Sequence, residues 1–181
     1  MDTIGFMELS SIASGIEIAD SMLKAANVKL IFAKASCPGK YYILLSGQIA
    51  NVEKSIETGV AMGGGFVVSS LVLPKIHPKV FMAVNMAGMP EKAEAIGVME
   101  FFSVTSSLIA ADTAVKAAPV DLIDIRLGTG IGGKSFVVLS GDTSSVQSAV
   151  DAAAAVRAEE GMLVNKAVVS KPDKKLLSSL F

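Results

Sequence analysis

The chain carries two copies of one sequence module, and this duplication constrains its fold more than any other feature. Three segments recur: residues 4–8 (IGFME) as 96–100 (IGVME), residues 20–26 (DSMLKAA) as 112–118 (DTAVKAA), and Gly39-Lys40 as Gly133-Lys134. A tandem repeat predicts two domains of the same fold related by approximate two-fold equivalence. We place the first domain at residues 1–90 and the second at residues 91–181.

Each module is small, yet the chain is apolar. A domain of fewer than about 100 residues has a small core, whereas hydrophobic residues make up 51% of this chain and its mean hydropathy is +0.57. A membrane-spanning helix needs about 20 predominantly apolar residues, and the longest uncharged run, residues 58–74, is interrupted by the glycine triplet at residues 63–65. We therefore expect the surplus apolar surface at subunit interfaces, since obligate interfaces resemble a domain core cut in half.

The charge and the cysteine count narrow the class of function. The net charge is −1 with acids and bases mixed along the chain, which argues against a nucleic-acid binder with a basic face. The first residues show no signal-like pattern, so a cytoplasmic protein without membrane association is expected. The single cysteine cannot form an internal disulfide, which fits a reducing compartment.

Hydrophobic periodicity predicts the same order of elements in both modules. The first has a strand, a helix with the apolar stripe Ile12, Ile16, Ala19 and Leu23, a hairpin, a second helix with the stripe Ile49, Val52, Ile56 and Val60, and a last strand. The predicted strands are residues 4–9, 29–34, 41–46, 66–73, 96–101, 120–127, 135–140 and 162–169, with second-module helices at 104–118 and 143–160. This predicts an α+β fold, with helices packed on a sheet that is at least partly antiparallel.

Taken together, the Ile-Gly-x-x-Glu start, the Asp-x-x-x-Lys-Ala helix and the Gly-Lys hairpin before a Gly-led helix resemble the bacterial microcompartment shell domain. Two such modules in one chain resemble the tandem-domain shell proteins, and the match covers essentially all residues from Ile4 onward. The resemblance implies a homotrimer with a pseudohexameric outline, which tiles with other shell proteins around enzymes in the cytoplasm. It implies a structural protein, not an enzyme.

Within that family, the turn Cys37-Pro38-Gly39 before Lys40, with Ile-His-Pro at residues 76–78, is similar to the iron–sulfur shell proteins of propanediol-utilisation microcompartments. The resemblance places the loops before Gly-Lys around a central pore, lined by Ser36, Cys37 and Pro38 in the first module and by Gly130, Ile131 and Gly132 in the second. Three Cys37 thiolates would then share one threefold axis and ligate one [4Fe-4S] cluster per trimer. Electron transfer across the shell to or from a redox protein would follow.

The sequence around Cys37 is also compatible with other roles. A lone cysteine is also compatible with an inert, small hydrophobic side chain, and the pore with a metal-free gate for small metabolites. A trigonal zinc site is a lesser alternative, because structural zinc normally takes four protein ligands.

Residues 128–135 match the phosphate-loop pattern G-x-x-x-x-G-K-S, which suggests nucleotide binding when taken alone. That motif requires a helix beginning at its Lys-Ser, whereas Lys134-Ser135 leads directly into a predicted strand. We therefore expect no nucleotide site.

Lys24 and Lys116 each follow an aspartate by four residues. They are compatible with surface ion pairs within a helix and, from the resemblance, with contacts at the edges between neighbouring tiles. His77, the single histidine, is expected to be structural, and we find no pattern of a catalytic triad or a divalent metal cluster.

Overall fold

The computed structural model describes residues 3–85, 93–128, 130–158 and 161–179. The chain divides into two compact units, Met1–Ile76 and His77–Phe181. The boundary predicted after residue 90 lies outside the described residues. The compact units divide after Ile76 because the helix that follows packs on the second sheet.

The first unit contains one four-stranded sheet and two long helices. Its elements are β1 (Thr3–Leu9), α1 (Ile12–Ala25), β2 (Lys29–Ser36), β3 (Lys40–Gly47), α2 (Ile49–Gly63) and β4 (Val67–Leu73), with a turn of 3-10 helix at Gly64–Phe66 before β4. The strand order is β2-β3-β1-β4, and every neighbouring pair is antiparallel.

The second unit repeats this topology. It contains α3 (Pro78–Asn85), β5 (Ala95–Phe101), α4 (Val104–Ala117), β6 (Asp121–Leu127), β7 (Ser135–Gly141), α5 (Thr143–Ala158), β8 (Leu163–Ser170) and α6 (Lys174–Leu177). Its strand order, β6-β7-β5-β8, corresponds strand by strand to that of the first unit, and it is also antiparallel throughout. The predicted duplicated α+β fold is therefore confirmed, with sheets that are fully rather than partly antiparallel.

The first sheet buries one face against α1 and α2. Because side chains alternate along a strand, Tyr41, Ile43 and Leu45 point to this helical layer, where they form a cluster with Met22 of α1 and Val52 of α2. A Cβ on Gly15 of α1 would lie 2.5 Å from the Tyr41 side chain, so the close approach of helix and strand depends on this glycine.

The helix stripes predicted from the sequence are only partly buried. Ala19, Val52 and Ile56 belong to the core, whereas Ile12 and Ile16 are 41% and 57% exposed and Ile49 and Val60 are also exposed. The face of α1 that packs on the sheet carries Gly15, Ile18, Ala19 and Met22 instead. In the first turns of α1, the apolar stripe seen in the sequence is therefore not the face that packs on the sheet.

Helix α5 begins with an aspartate cap. The Asp142 carboxylate accepts hydrogen bonds from the Ser144 hydroxyl (2.6 Å) and the Ser145 backbone N–H (2.9 Å). These hydrogen bonds lower the pKa of Asp142 well below its usual range. The corresponding cap of α2, Gln48, makes no side-chain cap hydrogen bond. Among the described residues, no helix is long and apolar enough to cross a membrane.

Candidate metal site and pore loops

Cys37 lies at the tip of the β2–β3 hairpin. Ser36 and Lys40 pair across the end of the ladder, and a three-residue turn, Cys37-Pro38-Gly39, connects them. The free thiol of Cys37 is exposed, as are Pro38 and Gly39, whereas Ser36 is buried at the base of the turn. Gly39 has a φ of 69°, a left-handed conformation that favours glycine.

A buried ion pair holds the base of this hairpin. Glu8 of β1 is 3% exposed and pairs with Lys40, the first residue after the turn. The Ser69 hydroxyl of β4 donates to the other Glu8 oxygen at 3.1 Å. One carboxylate therefore connects three neighbouring strands directly below the cysteine turn, which fits a structural role for Glu8.

The corresponding loop of the second unit is longer and built of glycine. Between β6 and β7, the residues Gly128, Gly130, Gly132 and Gly133 all have positive φ, from 66° to 81°. Gly130 and Gly132 are exposed and Ile131 is half-buried. A Cβ on Gly130 or Gly132 would meet no atom within 4 Å, so the backbone conformation rather than the available space requires glycine there.

The end of this loop leads into a strand, and its polar side chains pair within the chain. Ser135 is the first residue of strand β7 rather than of a helix. The Lys134 ammonium pairs with Glu100 at 2.7 Å, and the buried Ser135 hydroxyl lies 2.6 Å from the Ser107 hydroxyl and 2.9 Å from the Ser103 carbonyl. Both residues that would contact a phosphate in that motif therefore have partners within the chain.

Tyr42 lies beneath the cysteine turn and was not singled out from the sequence. Its side chain is fully buried, and its ring centroid lies 5.5 Å from that of Phe6. Burial raises the pKa of Tyr42, the Ser36 hydroxyl lowers it, and the negative charges of Glu8 and Cys37 raise it further. In the second unit, the residue in the equivalent register is Phe136, which lacks the hydroxyl. Comparing the two repeats was the signal that could have identified Tyr42.

One chain supplies only one thiol to a metal site. Among the described residues, no group of three or more His, Cys, Asp or Glu side chains is placed to hold a metal ion. The thiol of Cys37 is nevertheless accessible at a loop tip, and the space beside Gly39 is open within 4 Å of where its Cβ would be. A cluster at Cys37 therefore fits this chain only if several copies bring their thiols together.

The two candidate edge lysines have different surroundings. Lys24 pairs with Asp20 at 2.5 Å, with side chains 76% and 60% exposed. Lys116 pairs with Asp112, whose side chain is only 7% exposed and also accepts the His77 backbone N–H at 2.8 Å. The His77 ring accepts the Lys79 N–H at the start of α3, which fits the expected structural role of the histidine.

The two units also differ in which apolar surface they expose to solvent. On α1, Ile12 and Ile16 are exposed, whereas the equivalent residues of α4, Val104 and Leu108, are fully buried. The sheet face opposite the helices shows the reverse: Phe6 and Tyr42 are fully buried, whereas the equivalent residues Val98 and Phe136 are half-buried. One chain thus exposes an apolar helix face on its first unit and a partly open sheet face on its second.

The chain contains two small α+β domains with the same antiparallel topology, and each domain has a loop before a Gly-Lys pair. This architecture defines a tandem-domain protein whose two halves belong to one domain family. The chain belongs to the BMC domain family, whose model matches residues 3–76 and 95–172.

Its relatives are structural proteins of microcompartment shells. The chain is 42% identical over 173 residues to the bacterial microcompartment shell protein PduT of Citrobacter freundii, covering 96% of this chain and 94% of that protein. A microcompartment protein from Desulfitobacterium hafniense has a crystal structure that superposes with a TM-score of 0.91 at 48% identity, covering 97% and 98% of the two chains. A fused permuted hexameric shell protein shares the fold, with a TM-score of 0.67 at 23% identity over 87% of this chain and 84% of that one. The chain is therefore a structural protein of a bacterial microcompartment shell, not an enzyme.

Proposed function

We propose that three copies of this chain form a ring-shaped shell tile whose Cys37 residues hold one [4Fe-4S] cluster and pass electrons across the shell. The observation that carries the proposal is the placement of the single cysteine: an accessible thiol at the tip of a hairpin in a tandem shell protein.

The distribution of open surface supports a closed ring. An exposed apolar face on one unit and a differently placed open face on the other fit a head-to-tail association, in which the helix face of one copy covers the sheet face of the next. Head-to-tail interfaces close into rings when the rotation permits. Each chain supplies two of six similar positions, so three chains complete a pseudohexagonal tile.

In such a ring, the threefold axis would repeat Cys37 three times. Thiolates are the usual ligands of iron–sulfur clusters, and three of them would hold three of the four irons, leaving one iron for water or a small external ligand. The exposed turn lets the sulfur reach beyond the backbone, and Gly39 carries no side chain that would fill the adjacent space. When bound, the cluster supplies a one-electron carrier, and the chain's own residues position it and enclose it within the tile.

An electron carrier in the shell would allow redox balance inside a closed compartment. A shell that retains a reactive or volatile intermediate also restricts the exchange of large redox cofactors. A cluster held by the Cys37 residues would supply one-electron transfer through the shell without opening a channel. The partners would be neighbouring shell proteins at the edges that carry Lys24 and Lys116, and a redox protein on either face.

The test is metal analysis of protein purified without oxygen. We expect a brown trimer with about four irons and four acid-labile sulfides per three chains. Cys37→Ser should abolish the iron and the visible charge-transfer absorption while light scattering still gives the mass of three chains. The matched control is Ile131→Ser at the tip of the other loop, which should keep the iron. Full iron content in Cys37→Ser, or zinc in place of iron in the parent protein, would contradict the proposal.

The glycine loop of the second unit favours a second function, a metal-free gated pore. Four glycines with positive φ in residues 128–133 allow backbone motion that other residues would restrict. Colourless, iron-free protein after anaerobic purification would favour this alternative. A gate further predicts that the double substitution Gly130→Ala and Gly132→Ala changes metabolite leakage from intact compartments.

A further inference from the structure

Asp20 of α1 and Asp112 of α4 occupy the same helical position in the two repeats, yet their surroundings differ. Each pairs with the lysine four residues later, Lys24 or Lys116. The Asp20 side chain is 60% exposed, whereas that of Asp112 is 7% exposed. A buried carboxylate requires hydrogen bonds, and Asp112 accepts one more, from the backbone N–H of His77 at 2.8 Å. Asp112 therefore shows what this position of the fold binds when it is covered.

The turn that supplies this N–H recurs after β8. The register of the two sheets aligns residues 75–79, which follow β4, with residues 171–175. Lys75 and Lys171 both have left-handed backbones, with φ of 53° and 49°. Non-glycine residues rarely adopt this conformation, and these two are the only ones that do so among the described residues. The two turns therefore share one backbone conformation at this point.

The next residues of the two turns also agree. The His77 ring accepts the Lys79 N–H at 3.2 Å. The Asp173 carboxylate accepts the Lys175 N–H at 2.7 Å in the same way. Each turn then leads into a helix, α3 in one case and α6 in the other. The backbone N–H of Asp173 is therefore the counterpart of the one that Asp112 accepts.

The surface around Asp20 suits this second turn in position and in charge. Asp20 lies one helical turn after Ile16, so it borders the exposed apolar face of α1. Glu17 is also exposed, so two acids face solvent here beside one lysine, Lys24. Residues 171–175 contain three lysines and one aspartate, all of them exposed. Opposite net charges of this kind favour association and fix its register.

We propose that Asp20 binds the turn at residues 171–175 of a neighbouring copy of this chain and accepts the backbone N–H of its Asp173. This contact rests on the ring of the proposed function but not on its cluster. It repeats between copies the hydrogen bond that Asp112 and His77 make within one copy. In a head-to-tail ring, one surface of each copy meets a different surface of the next. The helix side of that joint would be Asp20, and the sheet side would be the turn after β8.

Asp20→Ala tests the contact through the stability of the assembly. Removing the acceptor leaves an N–H without its charged partner in the interface, so we expect the dissociation constant of each interface to rise about tenfold. A dilution series in the analytical ultracentrifuge measures this change. The matched control is Glu53→Ala, which removes an exposed acid from α2 and should leave the dissociation constant unchanged.

Cross-linking tests the position directly. A disulfide needs a Cα–Cα separation of about 4.4–6.8 Å, which suits a short aspartate side chain that reaches a backbone N–H. In a Cys37→Ser background, the pair Asp20→Cys and Asp173→Cys should form disulfides between chains on mild oxidation with diamide. A denaturing gel without reductant should then show linked dimers and trimers. The equivalent pair Asp112→Cys and His77→Cys should form a disulfide within one chain.

The possible outcomes each decide the question. Linked trimers together with weaker assembly of Asp20→Ala would support the contact. Unchanged dissociation of Asp20→Ala would overturn it, as would a lack of links between chains when the pair at residues 77 and 112 closes. Equal linking in a control pair of Glu53→Cys and Asp173→Cys would also overturn it. If the parent protein is a trimer and these tests fail, only this contact is wrong, whereas a monomeric parent protein would refute the ring and the contact together.

Discussion

Replacing Ile16 by alanine tests whether the exposed face of α1 is a subunit interface. Fully burying an isoleucine side chain stabilises a protein by about 1.5–3 kcal/mol relative to leaving it exposed. Ile16 is 57% exposed in the single chain, so an interface that covers it would gain roughly 1–2 kcal/mol per copy from this residue. Ile16→Ala should therefore weaken each interface by about one order of magnitude in its equilibrium constant.

The equivalent substitution in the second unit provides the control. Leu108 occupies the same helical position and is fully buried within the chain. Leu108→Ala should therefore lower the free energy of unfolding by about 2–5 kcal/mol, the usual cost of truncating a core leucine. Ile16→Ala should leave the unfolding of the dissociated chain nearly unchanged, because its side chain is mostly in solvent there.

A dilution series in the analytical ultracentrifuge measures the first effect, and urea unfolding monitored by circular dichroism measures the second. The expected result is a trimer that dissociates at higher protein concentration in Ile16→Ala than in the parent. Equal dissociation of the two proteins would refute the assignment of this face, and a monomeric parent protein would refute the ring itself.

Further substitutions test three other parts of the structure. Gly15→Ala should lower the free energy of unfolding by about 1–3 kcal/mol, because the added methyl group overpacks against the strand beneath it. In the control Gly65→Ala, the added methyl group would meet no atom within 4 Å, so the free energy of unfolding should change by less than about 0.5 kcal/mol. Urea unfolding of both variants at one protein concentration measures the difference. Because the pKa of Asp142 is lowered in the folded chain, the stability that its cap contributes is present above the ordinary aspartate pKa and is lost as the pH falls through the folded-state value. Asp142→Asn should therefore weaken the dependence of the melting temperature on pH at acid pH. An unchanged dependence would contradict the role of the cap. Lys24→Ala should leave the fold intact and weaken the formation of sheets of tiles seen by electron microscopy. Lys116→Ala should weaken sheet formation and also reduce thermal stability, because it removes the partner of the buried Asp112 carboxylate. If both variants form normal sheets, the two lysines are ordinary surface charges.

The repeat allowed the order of helices and strands in both units to be predicted, but not which surfaces would be covered. The recurring Ile-Gly-x-x-Glu segments lie in β1 and β5. The recurring Gly-Lys segments lie at the entry to β3 and immediately before β7. Periodicity identifies an apolar helix face, yet Ile16 and Leu108 share one position and differ completely in burial. Burial depends on which neighbouring surface meets each helix, and the local sequence pattern carries no information about that neighbour.

The candidate site, like the fold, was predicted only in part from the sequence. The hairpin tip at Cys37 was predicted from a turn sequence between two strand patterns, and the structure places it there. Tyr42 was missed because an alternating strand pattern does not reveal whether a tyrosine hydroxyl finds a partner. That property emerges only when three strands bring Glu8, Ser36 and Tyr42 together.

Duplication of the domain changes how many thiols a ring can present at its axis. Six identical single-domain subunits would repeat any loop cysteine six times, because closed symmetry copies every residue. A tandem chain lets the two loops diverge, and here one unit has Cys37 while the other has the glycines Gly130 and Gly132. In the proposed ring, three chains would present three thiols, and one iron of a four-iron cluster would have no protein ligand. If the proposed function is correct, the sequence difference between the two repeats sets the number of cysteine ligands at three. A second cysteine in the loop of the other unit would raise that number to six, which would change the ligand set rather than strengthen the site.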